Sequence, residues 1–426
     1  MKVAIAGYGA EGESSYRYYR DRGDDVTIVT TKVADQFPIP PGAQTIIADD
    51  AFEQLEDFDL VIRTPPMRPD TIHTRGKIWS QTNEFLAQCP ALIIGVTGTK
   101  GKGTTCSLIA SILRQAGKTV HLVGNIGVPP LSILKTITSD DVVVFEMSSF
   151  QLWDLERSPH VAVVLMMEPD HLDVHHDLAE YIAAKSHIVM NQHDDDIVIY
   201  HPSNSLTAQV VAHSSGMKRR YAVPEDGQVY VKSNTFFIQE TPLCATSSLQ
   251  IVGTFNLDNA CAAISAAFQI TDVTPFIENG LSSFAGLPHR LKLVRECDGI
   301  RYYDNSIATT PGSAIAAVQS FDVPSVIILG GSDKGASYDE VVEACRQRGT
   351  KVVAIGQTGE KIAQLCQREG VTVRRVHGLM DEAVKVAREL APQGSVVILS
   401  PASASFDQYK SYSDRGDQFI TAVEAL

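Results

Sequence analysis

Short apolar runs alternate with helix-period stretches along almost the whole chain. Runs of Val, Ile, Leu and Ala bounded by glycine or polar turns predict buried strands, and their alternation with helices predicts mainly parallel sheets. KVAIAG (2–7) is one such strand; a Gly-rich turn follows, a helix runs to about Arg22, and VTIVT (26–30) is the next strand. QTIIA (44–48) and LVIRT (60–64) continue the series. ALIIGVTG (91–98) opens a second series, followed by VVVFE (142–146), VAVVLM (161–166) and DIVIY (196–200). Residues 220–255, rich in β-branched and aromatic residues with turn signals, predict a small antiparallel piece. NLDNACAAISAAFQI (256–270) predicts an Ala-rich helix. After the linker GLPHR (286–290), a third series runs SVIILGG (325–331), KVVAIG (351–356), VTVRRV (371–376) and SVVILSP (395–401). The expectation is an α/β chain of three domains. Residues 1–90 are expected to be Rossmann-like, 91–289 a P-loop ATPase-type domain with a mostly parallel sheet and the antiparallel piece, and 290–426 Rossmann-like again.

Composition narrows the function classes. With 44% hydrophobic and 20% charged residues the chain is globular. Lys+Arg number 36 against 50 Asp+Glu, a net charge of −14, which argues against general affinity for a nucleic-acid backbone. Bound phosphate therefore needs local help from glycine loops, single lysines or a metal. No run has the length of a membrane span, and the N-terminal segment lacks a signal-peptide cleavage pattern. The seven cysteines are scattered and form no CxxC pair, as expected of reduced, mostly buried thiols in a cytoplasmic protein.

The strongest chemical signal is GVTGTKGKGTT, Gly95 to Thr105, between a strand and a helix. Glycines at Gly98, Gly101 and Gly103 let backbone N–H groups approach a phosphate chain, with Thr99 and Lys100 in the same loop. The following helix turns its positive end toward the phosphates. Lys102 is the flexible cation for the terminal phosphates. Gly103 follows that lysine where a P-loop usually has Ser or Thr, so the hydroxyl for Mg²⁺ comes from Thr104 or Thr105. ATP or GTP binding is the expectation. GYGAEG, with Gly7, Gly9 and Gly12, is a GxGxxG turn, but the second strand ends in Thr30-Thr31 without the acid that holds an NAD ribose. It reads as a site for another nucleotide diphosphate or as a structural tight turn.

Glu146 ends the strand VVVFE, where a carboxylate can hold Mg²⁺ near the loop. His171, in EPDHLDVHH, sits past another strand and is placed to ligate a metal, although a lone histidine more often has a structural role. His175 and His176 read as surface residues. Lys185, in AEYIAAKSHI, reads as an ordinary solvated helical lysine.

Together these segments resemble the Mur ligase superfamily, and within it the UDP-N-acetylmuramoyl-L-alanine:D-glutamate ligases. The likeness rests on GVTGTKGKGTT (95–105), GNIGVP (124–129), FEMSSFQL (145–152), EPDHLDVH (168–175) and YIAAKSHI (181–188). It continues through GTFNLDNACAA (253–263), GLPHRL (286–291) and LSPASASFDQYKSYSDRGDQF (399–419). Over residues 1–90 it rests only on the glycine turn, IRTPPM (62–67) and overall size. The resemblance implies an ATP-dependent ligase joining glutamate to UDP-muramoyl-alanine through an acyl phosphate, as a monomer. It implies that Lys102 and the loop amides hold ATP, that Thr104 and Glu146 bind one Mg²⁺, and that His171 helps bind a second. It also implies that Lys185 is carbamylated and becomes a metal ligand. Asn256, Asn259, Arg290 and Asn305 match positions contacting ATP, and Asn125 and Ser148 positions near the muramoyl-alanine end. Thr309, Lys334, Ser405 and Tyr412 match positions around glutamate.

Two departures stand out. DNSIATT (304–310) replaces the family's Asp-Ser-Lys-Ala-Thr-Asn, so an acid becomes Asn305, with Asp304 next door as a substitute, and a lysine becomes Ile307. The Gly103 variant of the loop resembles folylpolyglutamate synthase. That enzyme, a non-catalytic nucleotide-binding relative, and an NAD-dependent oxidoreductase are the alternatives.

Overall fold

The computed structural model describes residues 1–223 and 228–426. The chain divides into two compact units, Met1–Ser248 with Leu257–Ser283, and Leu249–Asn256 with Phe284–Leu426.

The first unit holds two parallel sheets. One comprises β1 (Lys2–Ala6), β2 (Asp25–Thr30), β3 (Gln44–Ile47), β4 (Leu60–Arg63) and β5 (Lys77–Ser80), in the order β3-β2-β1-β4-β5. The chain steps outward from β1 to β3, then returns to lay β4 on the other side of β1. That reversal opens a crevice at the carboxyl end of β1, the usual ligand position of open α/β sheets, and the turn beginning at Gly7 lies there.

The second sheet comprises β6 (Leu92–Thr97), β7 (Val120–Gly124), β8 (Val142–Glu146), β9 (Val161–Val164), β10 (Ile197–Tyr200) and β11 (Met217–Arg220), in the order β11-β10-β9-β6-β8-β7. Here β6 occupies the reversal. Val96 lies opposite Glu146, and Thr97 opposite Val164. The loops leaving β6, β8 and β9 therefore emerge side by side. Ile94, Val96, Val143, Val144 and Val163 have no exposed surface, which is why these strands read as unbroken apolar runs rather than alternating ones. Phe85 of the helix Gln81–Gln88 packs edge-on against Phe145 of β8, with ring centroids 5.7 Å apart, so that helix joins the core of the second sheet.

A three-stranded antiparallel sheet follows: β12 (Val229–Lys232), β13 (Thr235–Ile238) and β14 (Thr241–Ala245). It falls within the stretch 220–255 expected to form such a piece; residues 224–227 of that stretch lie outside the described residues. The Ala-rich helix spans Phe255–Ala267.

In the second unit β15 (Lys292–Cys297), β16 (Ile300–Asp304), β17 (Ser325–Gly330), β18 (Lys351–Ile355), β19 (Val373–Arg375) and β20 (Val396–Leu399) form one sheet. Its order is β15-β16-β20-β17-β18-β19, with β15 antiparallel to β16 and the remaining pairs parallel. One face buries Ile328, Val353 and Leu399, the other Ile327, Val352 and Ala354. Val252, from the early segment Leu249–Asn256, packs against the cluster of Leu291, Tyr303 and Phe321. The chain is thus α/β with mostly parallel sheets and one small antiparallel sheet. Among the described residues no helix is long and apolar enough to cross a membrane. All seven cysteines are free thiols, and five are buried.

Candidate active site

Residues 98–101 turn the chain from β6 into the helix Lys102–Gln115. Gly98 (φ 145°) and Gly101 (φ 86°) lie in the left-handed region, where a Cβ is strained. Space forbids a side chain as well: a Cβ on Gly98 would lie 2.7 Å from Leu165 Cβ, and one on Gly101 2.3 Å from Asn259 Oδ1. The loop therefore offers bare backbone at a helix N-terminus, as a phosphate chain requires. Thr99 pins it from behind. Its hydroxyl donates to Glu168 O (3.0 Å), accepts from Glu168 N (2.9 Å) and bonds the Tyr181 hydroxyl (2.8 Å). Lys100 turns outward to Glu168. Lys102 Nζ folds over the loop and donates to Gly98 O (3.0 Å) and Thr99 O (2.9 Å). Gly103 stands in the helix's first turn, followed by Thr104 and Thr105. Thr105 is wholly buried with its hydroxyl enclosed and unbonded, whereas Thr104 keeps some exposure.

Lys185 corrects the sequence expectation. It is not solvated but 2% exposed, on the inner face of the helix Leu178–Met190. Its Nζ donates to Thr97 Oγ1 (3.2 Å) and to Gly98 O (3.0 Å). Two lysine amines thus share one carbonyl oxygen, an arrangement that penalises two full positive charges. Burial, and then the charge of Lys102, hold the Lys185 ammonium well below its ordinary pKa. The shift favours the neutral amine, which is the nucleophilic form.

Glu146, buried at the end of β8, accepts from Asn125 Nδ2 at 3.2 Å, and Asn125 N donates to Glu146 O at 3.1 Å. His171 lies on the loop after β9 with φ 52°, half exposed, its ring 4.9 Å from that of Phe150. Among the described residues no group of three or more His, Cys, Asp or Glu is gathered to hold a metal. The donors near the loop are instead Glu146, the Thr104 hydroxyl, His171 and a lysine that carbamylation would turn into an oxygen ligand. That oxygen-rich set fits Mg²⁺.

His175 also departs from expectation. His176 is exposed, but His175 is 2% exposed and stacks on Phe150, with Trp153 and Tyr181 against its other sides. Its Nε2 pairs with Ser149 Oγ at 3.0 Å, and burial pushes its pKa down. The histidine thereby fastens the loop of His171 to the segment after Glu146.

At the β1 crevice, Gly7 and Gly12 are closed to substitution, because a Cβ would meet Thr64 Oγ1 at 2.2 Å and Gly7 O at 2.5 Å. Gly9 faces open space. Across from this turn Ser148 caps a short helix, Ser149–Leu152, through a reciprocal bond with Gln151. Gln151 Nε2 in turn donates to Glu11 Oε1 at 2.7 Å. Fully buried Arg63, at the end of β4, donates from Nε (2.7 Å) and Nη2 to the two carboxylate oxygens of Asp154. These cross-links went unnoticed in the sequence, where residues far apart carry no mutual signal.

In the second unit Thr309 follows β16, Lys334 follows β17, and Ser405 and Tyr412 follow β20. Since β20 lies between β16 and β17, all four come to one edge of the sheet. Arg415, buried and lowered by burial to about 10, ties these loops by donating to Ser306 Oγ, Ser306 O and Ser403 O. Ser306 Oγ donates onward to Tyr412 O (2.7 Å). Arg415 was missed as well; its spacing with Phe419 and Val423 on a buried helix face was the available signal. Asn305 accepts from Leu291 N (3.1 Å) and donates to Ser400 Oγ (3.0 Å), so both ends of its amide are engaged within the unit. Asp304, the acid next door, has no exposed surface and pairs with His289 Nδ1 at 2.7 Å. Asn256 donates to Val252 O, Arg290 is exposed, and Ile307 is partly buried.

Residues 96–267 match the Mur ligase middle domain, and residues 289–403 the Mur ligase glutamate ligase domain. The UDP-N-acetylmuramoylalanine--D-glutamate ligase of Symbiobacterium thermophilum is 34% identical, over 100% of this chain and 98% of that one. Among solved structures, the UDP-N-acetylmuramate-alanine ligase MurC of Thermotoga maritima is similar in fold, with a TM-score of 0.62 and 18% identity over 100% and 99% of the two chains. The MurF ligase of Thermotoga maritima, solved with ADP, has a TM-score of 0.61 and 16% identity over 99% and 95%.

Proposed function

This chain belongs to the Mur ligase family, and we propose that it is an ATP-dependent amide ligase adding D-glutamate to UDP-N-acetylmuramoyl-L-alanine in peptidoglycan precursor synthesis. The observation that carries this reading is the loop after β6, where Lys102 and a buried Lys185 meet at the Gly98 carbonyl with Glu146 on the neighbouring strand. The division of labour we propose is by sheet: residues 1–90 take the UDP end of the acceptor, 91–289 take ATP, and 290–426 take glutamate. The full-length likeness to D-glutamate ligases supports this over a folate ligase, which would leave the open Gly9 turn without a substrate.

The acceptor carboxylate attacks the γ-phosphorus of ATP, the bond to ADP breaks, and an acyl phosphate remains. Lys102 leaves the carbonyls of Gly98 and Thr99 for the transferring phosphate, and the loop amides hold the same charge. The glutamate amine then attacks the acyl carbon and loses a proton, and the tetrahedral intermediate expels phosphate. In this reading Thr309, Lys334, Ser405 and Tyr412 orient glutamate, and Asn125 and Ser148 orient the acceptor. Asn256, Asn259, Arg290 and Asn305 serve ATP. Two Mg²⁺ ions, when bound, neutralise phosphate charge; Thr104, Glu146, His171 and carbamylated Lys185 are the residues that would hold them. The lowered pKa of Lys185 supports that modification, since only an unprotonated amine adds CO₂.

A substrate matrix tests the reading. UDP-muramoyl-alanine and a folate acceptor are each offered with D- or L-glutamate, ATP and Mg²⁺, and products are read by mass spectrometry. Phosphate release and a glutamyl product are expected only with UDP-muramoyl-alanine and D-glutamate. A folate product would overturn the assignment.

A further inference from the structure

Glu11 is the one carboxylate in the Gly7–Gly12 turn. It is the second residue of the helix Ala10–Asp21, next to the open side of Gly9, and keeps only part of its surface. The orientation of Gln151 fixes which Glu11 oxygen does what. Gln151 Oε1 accepts from Ser148 N (2.9 Å) and Ser148 Oγ (3.1 Å), so the other end of that amide is its NH₂ group, which donates to Glu11 Oε1. Oε1 is therefore an acceptor, which favours placing a proton of this carboxyl on Oε2, the oxygen that bonds to no described residue.

The charges around Glu11 do not rescue its ionised form. Gln151 on the facing helix is neutral. Arg63 of β4 is the nearby cation, but it is held bidentately by Asp154. Glu13 on the same helix pairs with Arg17, and Gln81 reaches only the main-chain oxygen of Glu11. The helix N-terminus favours a carboxylate only weakly at this partly exposed position. Desolvation prevails and pushes Glu11 up to about 7.

We propose that Glu11 is a specificity-determining residue of the acceptor site: as a carboxylic acid its Oε2–H donates to a phosphate oxygen of the nucleotide diphosphate received at the Gly9 side of the turn, and as a carboxylate it repels that phosphate. This rests on the reading that the first sheet takes the UDP end of the acceptor. Glu11 then sets the pH range over which acceptor binds, separately from the chemistry at the β6 loop. Because Gln151 bridges Glu11 to Ser148, deleting the Glu11 side chain would also loosen Ser148. Glu11→Gln is the clean substitution, since its amide accepts from Gln151 and donates toward the ligand at every pH.

The experiment is calorimetric titration with UDP-N-acetylmuramoyl-L-alanine between about pH 6 and pH 8, a range in which neither its diphosphate diester nor its carboxylate changes charge. Wild-type Kd is expected to rise about tenfold across that range, because only the protonated fraction binds well. Glu11→Gln is expected to bind with a Kd that barely moves. A flat wild-type profile, or a rise that survives in Glu11→Gln, overturns the proposal while leaving the acceptor site standing. Absence of binding by both proteins at every pH removes the acceptor-site reading, and the proposal with it.

Discussion

Lys185→Met replaces the buried amine by an apolar side chain of similar length and should stabilise the protein while abolishing activity. In the unfolded chain Lys185 is an ammonium; in the fold it is enclosed beside Lys102 and its pKa is lowered. That lowering costs stability at pH 7, because the unfolded chain keeps the proton that the fold disfavours. The hydrogen bonds to Thr97 and Gly98 return about 1 kcal/mol each. Methionine forgoes both terms and orphans neither acceptor, because Lys102 still serves Gly98 O and the Thr97 hydroxyl still donates to Met147 O. The expected net gain is about 1–4 kcal/mol at pH 7 in CO₂-free buffer, the range seen when buried ionic groups give way to packed apolar side chains, read by urea denaturation. Its pH dependence follows from the sign of the shift. The unfolded state binds the extra proton, so wild-type stability rises with pH between the folded and unfolded pKa values. The advantage of methionine should therefore shrink toward pH 10. With ¹³C-bicarbonate, wild type but not the variant should gain a carbamate resonance. A variant that is less stable at pH 7, with a gap that pH does not change, would mean that Lys185 is charged and would remove the basis for its carbamylation.

Lys102→Ala should lower phosphate release by about two to three orders of magnitude or more, the scale of one lost transition-state donor, with an unchanged circular dichroism spectrum; retained turnover would discredit the phosphate loop. Asp154→Ala leaves the Arg63 guanidinium buried with only Met67 O at 3.4 Å. Because Asp154 itself is 21% exposed, the loss belongs near the low end of the buried-pair range, about 3 kcal/mol. A loss below about 1 kcal/mol would show the pair to be solvated. Gly101→Ala forces a Cβ to 2.3 Å from Asn259 Oδ1 at a positive φ, and ATP affinity should fall at least about tenfold, equivalent to about 1.4 kcal/mol. Acceptor affinity should not follow; an equal loss of both would indicate general unfolding.

Much of this fold is legible from periodicity. The central strands of all three parallel sheets are continuous apolar runs because helices cover both faces. The strands that escaped notice lie at or near the edges. β11 is Met-Lys-Arg-Arg and wholly exposed, β5 is the short Lys-Ile-Trp-Ser, and β15 alternates with charges. Side-chain environment was harder to read. Lys185 lies on the stripe Tyr181, Ile182, Lys185, Ile188 and Val189, and that helical spacing already placed it on the buried face. His175 carried no such signal, since its burial comes from Phe150 and Trp153 of an earlier segment and from Tyr181 of the following helix, all brought to it by the fold. The same holds for the bonds of Glu11 to Gln151 and of Arg63 to Asp154, which are products of tertiary structure.

The interleaving of the two units has a consequence for synthesis. On the ribosome the polypeptide leaves the first unit at Leu249 and returns to it at Leu257, so that unit is unfinished until residue 283 emerges. Only then can Gly280 lie against Ile112 and accept from Ser111 Oγ (2.7 Å). Val252 meanwhile waits for Leu291, Tyr303 and Phe321. A gene fragment opening at Phe284 would encode a polypeptide with that apolar seat bare, and grafting residues 249–256 ahead of it through a flexible linker is the way to obtain it in solution.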